Sequence, residues 1–389
     1  MPERLSLLKP TAINSILAEV QTLQVQGRKV ASLMRGEPDF PTPAHITDAA
    51  IQALQNGRTA YPNNRGEAAL RDAVADKLAR QNGVTCDPGS EILITDGATL
   101  AIHAALGALV GPGDEVLVPD PIYDAYQSPI RFTGAEPRPV RSTSHAGRFA
   151  FHVDDLEAAC TPATRVLLIN TPWNPVGTVL TREELSNIAE FVCRRDLTLI
   201  SDEIYESITY DGAVHISPAS LSPEIRRRCV LINSFSKTYS MTGWRLGYCA
   251  APPDVIRGML LVLQLCSRGP ATFVQDAGAA ALNGPQDCVR DMLDEYTRRR
   301  NTVVQRLAGI PNVLVHPPEG GFFAMLDITR TGRTSDDVRR YMLNEHGVAV
   351  VHGRAYGEAG EGTLRVSFAS GGDVLDRGLH LLSQGLTNL

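Results

Sequence analysis

Short apolar runs alternate with helical stretches through the first three quarters of this chain, and that rhythm restricts the fold more than any other feature. The runs lie at 91–95, 115–119, 165–169, 197–201 and 229–233. Their length and lack of polar alternation fit strands buried on both faces. Helical spacing fills 98–110 and 183–194 between them, which predicts an α/β fold: a mostly parallel central sheet with helices on both sides. Ahead of the first run, Ile46, Ala49, Ala50, Ala53 and Leu54 fall at helical spacing between Pro43 and Gly57, residues that start and stop a helix. Leu70, Val74 and Leu78 recur every four residues, and that pattern closes at Asn82-Gly83, a left-handed cap.

From about Pro285 the character changes to a charged helix containing Arg298-Arg299-Arg300, then Gly320-Gly321-Phe322-Phe323-Ala324-Met325 and a βα-like tail. The triplet reads as a solvated helix face. We therefore expect a large domain at 43–284 and a smaller α+β domain made of 1–42 with 285–389. No repeat or Gly/Ser linker separates them, so a close interface is expected. A formal charge of −6 with no Lys/Arg cluster gives no footprint for nucleic acid or an acidic membrane. No apolar run approaches a membrane span, and Met1-Pro2-Glu3-Arg4-Leu5 lacks a signal peptide's apolar segment, which points to the cytoplasm. Seven cysteines without a Cys-x-x-Cys pair read as reduced core thiols. With no His-Glu-x-x-His or Gly-x-Ser-x-Gly, neither metal nor serine hydrolysis is indicated, and no metal is expected.

Polar residues gather just after the strands, where open α/β sheets bind ligands. Ser234-Phe235-Ser236-Lys237-Thr238 follows one strand, and Arg245 comes eight residues after the lysine. Burial or a nearby cation lets such an amine condense with an aldehyde, although a lysine in a Ser/Thr-rich turn is also a common solvated residue. Arg245 offers a planar fork suited to a phosphate. Ala98 and Thr99 open a helix after Asp96-Gly97, either as a plain helix start or with N–H groups aimed at an anion. Tyr123 either packs or presents a face to a planar ring. Asn174 lies in the rigid turn Asn170-Thr171-Pro172-Trp173-Asn174-Pro175-Val176-Gly177, as a turn former or as a donor to a phenolate oxygen. Asp202 fits a helix N-cap or an acid for a pyridine nitrogen, and Tyr205 a donor to a ring hydroxyl. Arg365 alternates with Leu364 and Val366, so it points away from the strand's apolar face. Together these supply a phosphate cradle, a ring stack, an acid, oxygen donors and an amine, the set that pyridoxal 5'-phosphate needs.

In order and combination the motifs resemble the class I/II aminotransferases, pyridoxal-phosphate enzymes of fold type I, over nearly the whole chain. The resemblance rests on Gly36-Glu37-Pro38-Asp39-Phe40, Tyr61 with Gly66, Asn174-Pro175-Val176-Gly177, Ser201-Asp202-Glu203-Ile204-Tyr205, Ser234 to Arg245, and Leu364-Arg365-Val366-Ser367-Phe368. It implies that Lys237 holds the cofactor and shuttles the proton, with Asp202 on the ring nitrogen, Asn174 and Tyr205 on the ring oxygen, and Tyr123 stacked on the ring. Ala98, Thr99, Ser234 and Arg245 match phosphate contacts, and Tyr61 resembles one contributed by a neighbouring subunit, which implies a homodimer. Arg365, with Gly36 and Asn174, resembles the clamp on the substrate α-carboxylate. The implied reaction passes the amino group of an L-amino acid to a 2-oxo acid, pyruvate or 2-oxoglutarate, by a ping-pong sequence. A β-lyase or γ-synthase on the same fold is the alternative. The donor stays open: an aspartate-using branch has a lysine where Thr99 stands, while Tyr210-Asp211-Gly212 with Ser217-Pro218-Ala219-Ser220-Leu221 is similar to an arginine:pyruvate branch. Arg35 and Arg268 are either surface arginines or neighbours of the substrate.

Overall fold

The computed structural model describes residues 11–145 and 147–389, so the reading of Met1 to Leu5 and the first ten residues of the expected small domain lie outside it. Seven strands form the main sheet: β1 (Ile92–Thr95), β2 (Glu115–Asp120), β3 (Glu136–Arg141), β4 (Thr164–Asn170), β5 (Thr198–Asp202), β6 (Cys229–Ser234) and β7 (Gly247–Ala250). Their spatial order is β1-β7-β6-β5-β4-β2-β3. Only β7 runs antiparallel to its neighbours, the other pairs being parallel. β4 shows why: Val166 and Leu168 pack into one apolar cluster, Leu167 and Ile169 into another, so alternate residues serve the two faces.

Helix α1 (Ala12–Val25) packs on Leu343, Ala349 and Val351 of the C-terminal unit, while α2 (Ala44–Gln55), α3 (Ala68–Lys77), α4 (Ala98–Leu109), α5 (Arg182–Arg194), α6 (Pro253–Gln264) and α7 (Thr272–Asn283) accompany this sheet. Apolar residues of α2, α3, α5 and α7 cover one face, those of α4 and α6 the other. α5 begins with a reciprocal capping box between Thr181 and Glu184. After α3 the chain makes one wider turn to Asn82 and stops at left-handed Gly83, as the sequence pattern predicts.

Beyond these lie α8 (Asp287–Leu307), α9 (Ser335–His346) and α10 (Gly372–Thr387), with an antiparallel sheet of β8 (Leu314–His316), β9 (Phe323–Asp327), β10 (Val351–His352) and β11 (Thr363–Ser367) in the order β8-β9-β11-β10. Leu33, Tyr296, Phe322, Val338, Leu364 and Leu379 share its core. The N-terminal segment joins this unit, because Ala31–Ser32 pairs in parallel with Val348–Ala349.

Two sequence readings need correction. Arg299 is buried: it pairs with Asp39 and Glu295 at 2.8 and 2.7 Å and donates to the Ala369 carbonyl. Consecutive helical residues differ by about 100° in direction, so one of three adjacent arginines has to face inward. The cysteines are all free, but only Cys86, Cys229 and Cys249 are buried, while Cys266 is exposed. Among the described residues no helix is long and apolar enough to cross a membrane.

Candidate active site

The carboxyl ends of β1, β2, β4, β5 and β6 converge on a cavity of about 680 Å³, closed from above by α1, the 32–37 segment and β11. Every sequence-predicted site residue except Tyr61 lines it: Gly36, Ala98, Thr99, Tyr123, Asn174, Asp202, Tyr205, Ser234, Lys237, Arg245 and Arg365. Tyr61 stands 88% exposed, clear of this cavity. Arg35 lines the rim, and exposed Arg268 does not.

Lys237 sits in the single helical turn that follows β6, and its Nζ donates to the Gly36 carbonyl at 2.6 Å. Desolvation lowers its pKa from 10.5 to about 8; Glu37 opposes that shift and Arg245 adds to it. Asp202 ends β5 and is buried, which raises its carboxyl pKa to about 6. The Tyr126 hydroxyl donates to its Oδ2 and holds the rise in check. Asp202 also accepts from the Ile204 N–H at 3.2 Å, bracing a turn rather than capping a helix. Burial pushes the Tyr205 phenol well above its ordinary range, and the ring packs edge-on against Phe322 and Phe323.

Asn170 organises the rigid turn: its amide donates to the Asp202 carbonyl at 2.8 Å and its oxygen accepts from the Asn174 N–H at 2.8 Å. The anion cradle is equally local. α4 starts at Ala98 without a side-chain cap, leaving first-turn N–H groups free. Arg245 adopts φ +55°, a left-handed conformation rare for a bulky residue. Its guanidinium passes so close to Gly97 that a Cβ there would lie 2.6 Å from Nη2. Ser234 donates to the Leu246 carbonyl at 2.9 Å and accepts from the Ser236 N–H, which braces the turn bearing Lys237.

Arg365 leaves the apolar face of its strand, yet the other side of the strand is covered as well. The arginine is 1% exposed, donating to Asn174 Oδ1 at 3.1 Å and to the Met34 carbonyl at 3.3 Å. The Phe323 and Tyr356 rings flank it at 3.9 and 4.9 Å, and Nε has no partner. No carboxylate lies within ion-pair distance among the described residues. With Nε unpaired and no ion pair formed, this buried fork can take a carboxylate that arrives from outside.

Sequence reasoning missed Tyr126, Asn170, Ser236 and Phe323. Tyr126 carries a weak signal, three residues beyond Tyr123 in one loop, and Asn170 a better one as the last residue of a strand.

The donor set fits a phosphorylated pyridine aldehyde: a lysine of lowered pKa, a buried acid with no cation in ion-pair contact among the described residues, and an uncapped helix start beside an arginine. Residues 28–377 match the family described as aminotransferase class I and II. The chain is 40% identical to an aspartate aminotransferase of Pyrococcus abyssi, over 99% of this chain and 98% of that protein. It is 38% identical to the arginine–pyruvate transaminase AruH of Pseudomonas aeruginosa, over 90% and 88%. It superposes on the crystal structure of an aromatic aminotransferase from Pyrococcus horikoshii with a TM-score of 0.90, 40% identity and coverage of 97% and 99%. Each of the three is named for amino transfer, none for lyase or synthase chemistry. A family match across most of the chain, with relatives aligned nearly end to end, makes this protein a member of the class I and II aminotransferases, α/β enzymes of fold type I.

Proposed function

We propose that this aminotransferase works with pyridoxal 5'-phosphate, held by Lys237, Asp202, Tyr205, Asn174, Tyr123, Ala98, Thr99, Ser234 and Arg245. When bound, the cofactor supplies an aldehyde for the amino acid's nitrogen and a ring that takes up the charge developing at Cα. Lys237 does the proton work: with a pKa near 8, a useful fraction of its amine is neutral, so Nζ takes the Cα proton and later returns it. Asp202 is ionised at neutral pH and keeps a ring nitrogen protonated by pairing with it. Tyr205 and Asn174 would supply hydrogen-bond donors to a ring oxygen, and Arg245 with the start of α4 would offset phosphate charge.

Arg365 grips the α-carboxylate bidentately beside the Gly36 backbone and the Asn174 amide, which fixes the Cα–H bond relative to Lys237. Ile13 and Leu17 of α1 form an apolar wall on the cavity and limit water entry. Amino acid and 2-oxo acid, pyruvate or 2-oxoglutarate, occupy this cavity in turn. We further infer a large domain at 43–284, a small one from the N-terminal segment with 285–389, and a cytoplasmic homodimer in which Tyr61 reaches the neighbouring site. The observation that carries the reading is the meeting in one cavity of Lys237 from the turn after β6, Asp202 from the end of β5 and Arg365 from the middle of β11. Lys237→Ala is expected to lose both the cofactor's visible absorption and transamination; retention of both overturns the assignment.

A further inference from the structure

We propose, building on the aminotransferase reading above, that Arg35 is the specificity residue that receives the distal carboxylate of a dicarboxylic substrate. The 33–36 segment lies against β11: the Ser367 N–H donates to the Leu33 carbonyl at 2.8 Å, and Arg365 Nη2 to the Met34 carbonyl at 3.3 Å. This fixes the Arg35 backbone next to the buried guanidinium of Arg365 and leaves its own side chain at the cavity rim, 46% exposed.

Four cationic side chains line the cavity, and three of them, held by local hydrogen bonds, already have a task in the proposed reaction. Lys237 donates to Gly36, Arg245 to the Thr242 and Asp96 carbonyls beside the start of α4, and Arg365 to Asn174 and Met34. Arg35 has one partner, Glu37, at 2.9 Å from Nη2 and 3.1 Å from Nε. Both side chains are half exposed, and such pairs are weak and easily exchanged. Glu37 keeps a second anchor, because its other oxygen accepts from Thr242 Oγ1 at 3.1 Å. An arriving carboxylate therefore takes over the Arg35 fork in the geometry that Glu37 already occupies, without leaving Glu37 unheld. The remaining wall is uncharged: Ile13, Leu17, Ile102 and Val374 give it apolar surface, between Ser32, Thr242 and Ser370. A neutral side chain packs there while Arg35 stays on Glu37, so one cavity serves both dicarboxylic and neutral partners. Arg268, which is exposed and off this cavity, is the rival cation.

The test uses holoenzyme carrying Arg35→Met, Arg35→Lys or Arg268→Met. It measures kcat/KM for 2-oxoglutarate and for pyruvate with a common amino donor, together with inhibition by succinate, a dicarboxylate that cannot react. The expected result for Arg35→Met is an about 10- to 100-fold fall in the 2-oxoglutarate-to-pyruvate ratio, the loss of one charge-assisted pair, with a matching rise in the succinate inhibition constant. Arg35→Lys, which keeps the charge without the fork, recovers part of both. An unchanged ratio, a fall confined to Arg268→Met, or a wild-type enzyme that uses pyruvate but not 2-oxoglutarate overturns the proposal and leaves the aminotransferase reading standing. A wild-type enzyme that transaminates no oxo acid with any amino donor overturns that reading, and the role of Arg35 with it.

Discussion

Replacing Arg365 by methionine separates substrate recognition from catalysis. The guanidinium is 1% exposed, has no carboxylate in ion-pair contact among the described residues, and lies 3.9 and 4.9 Å from the centroids of the Phe323 and Tyr356 rings. A substrate α-carboxylate that enters this desolvated place without its fork is a buried charge lacking a partner, which costs about 3–5 kcal/mol. At about 1.4 kcal/mol per decade, that is roughly two to three and a half decades in kcat/KM. The assay compares alanine with ethylamine, which presents the same reacting nitrogen and no carboxylate. The alanine-to-ethylamine ratio is expected to fall by that factor, with the ethylamine rate itself little changed. The change costs some stability, because the acceptors on Asn174 and Met34 lose a donor, about 1 kcal/mol each, and the buried Asp124 carboxyl loses the nearby cation that favours its charged form. An unchanged ratio refutes the reasoning. So does an equal fall for both amines, which would make Arg365 a structural residue.

Three further outcomes follow from other parts of the molecule. In cofactor-free protein, labelling of Lys237 by an amine-directed reagent should climb with pH through about 8, since only the neutral amine reacts and burial lowers its pKa from 10.5. Glu37→Gln should move that midpoint down, by removing a charge that favours the ammonium, and a wild-type midpoint near 10 would refute the assignment. Lys77→Met should cost about 3–5 kcal/mol in urea unfolding, because it strands Glu206 in a pair whose side chains are only 5% and 9% exposed; Lys77→Met with Glu206→Gln should recover most of it, and a single-variant loss below about 1 kcal/mol would contradict the pair's burial. If Tyr61 acts across a dimer interface, mixing inactive Lys237→Ala subunits with impaired Tyr61→Phe subunits should form hybrids with one intact site and raise activity. No gain on mixing counts against that role.

Much of the large sheet was legible because each strand is a short apolar run with a turn at either end. β4 extends one residue beyond the expected run at each end, and Asp202 and Lys237 could be placed because they come one and four residues after such runs. What escaped was whatever depends on distant packing. The alternation in Leu364-Arg365-Val366 says that Arg365 leaves the apolar face, yet not that the 33–36 segment and Tyr356 cover the other side. Arg299 was lost for the same reason, its partner Asp39 lying far away in sequence. Tyr126 meets Asp202 across 76 residues, and nothing local announces that contact. The assignments of Tyr61 and the phosphate contacts drew their weight from the family resemblance rather than from pattern.

The most direct test of the central claim is a half-reaction: purified holoenzyme is mixed with one amino acid and no oxo acid, and the absorption spectrum, 2-oxo acid and ammonia are followed together. Amino transfer through Lys237 predicts loss of the cofactor's long-wavelength absorption, about one equivalent of 2-oxo acid per site, no ammonia, and recovery of the spectrum on adding pyruvate or 2-oxoglutarate. Continued release of ammonia with an unchanged spectrum would contradict it.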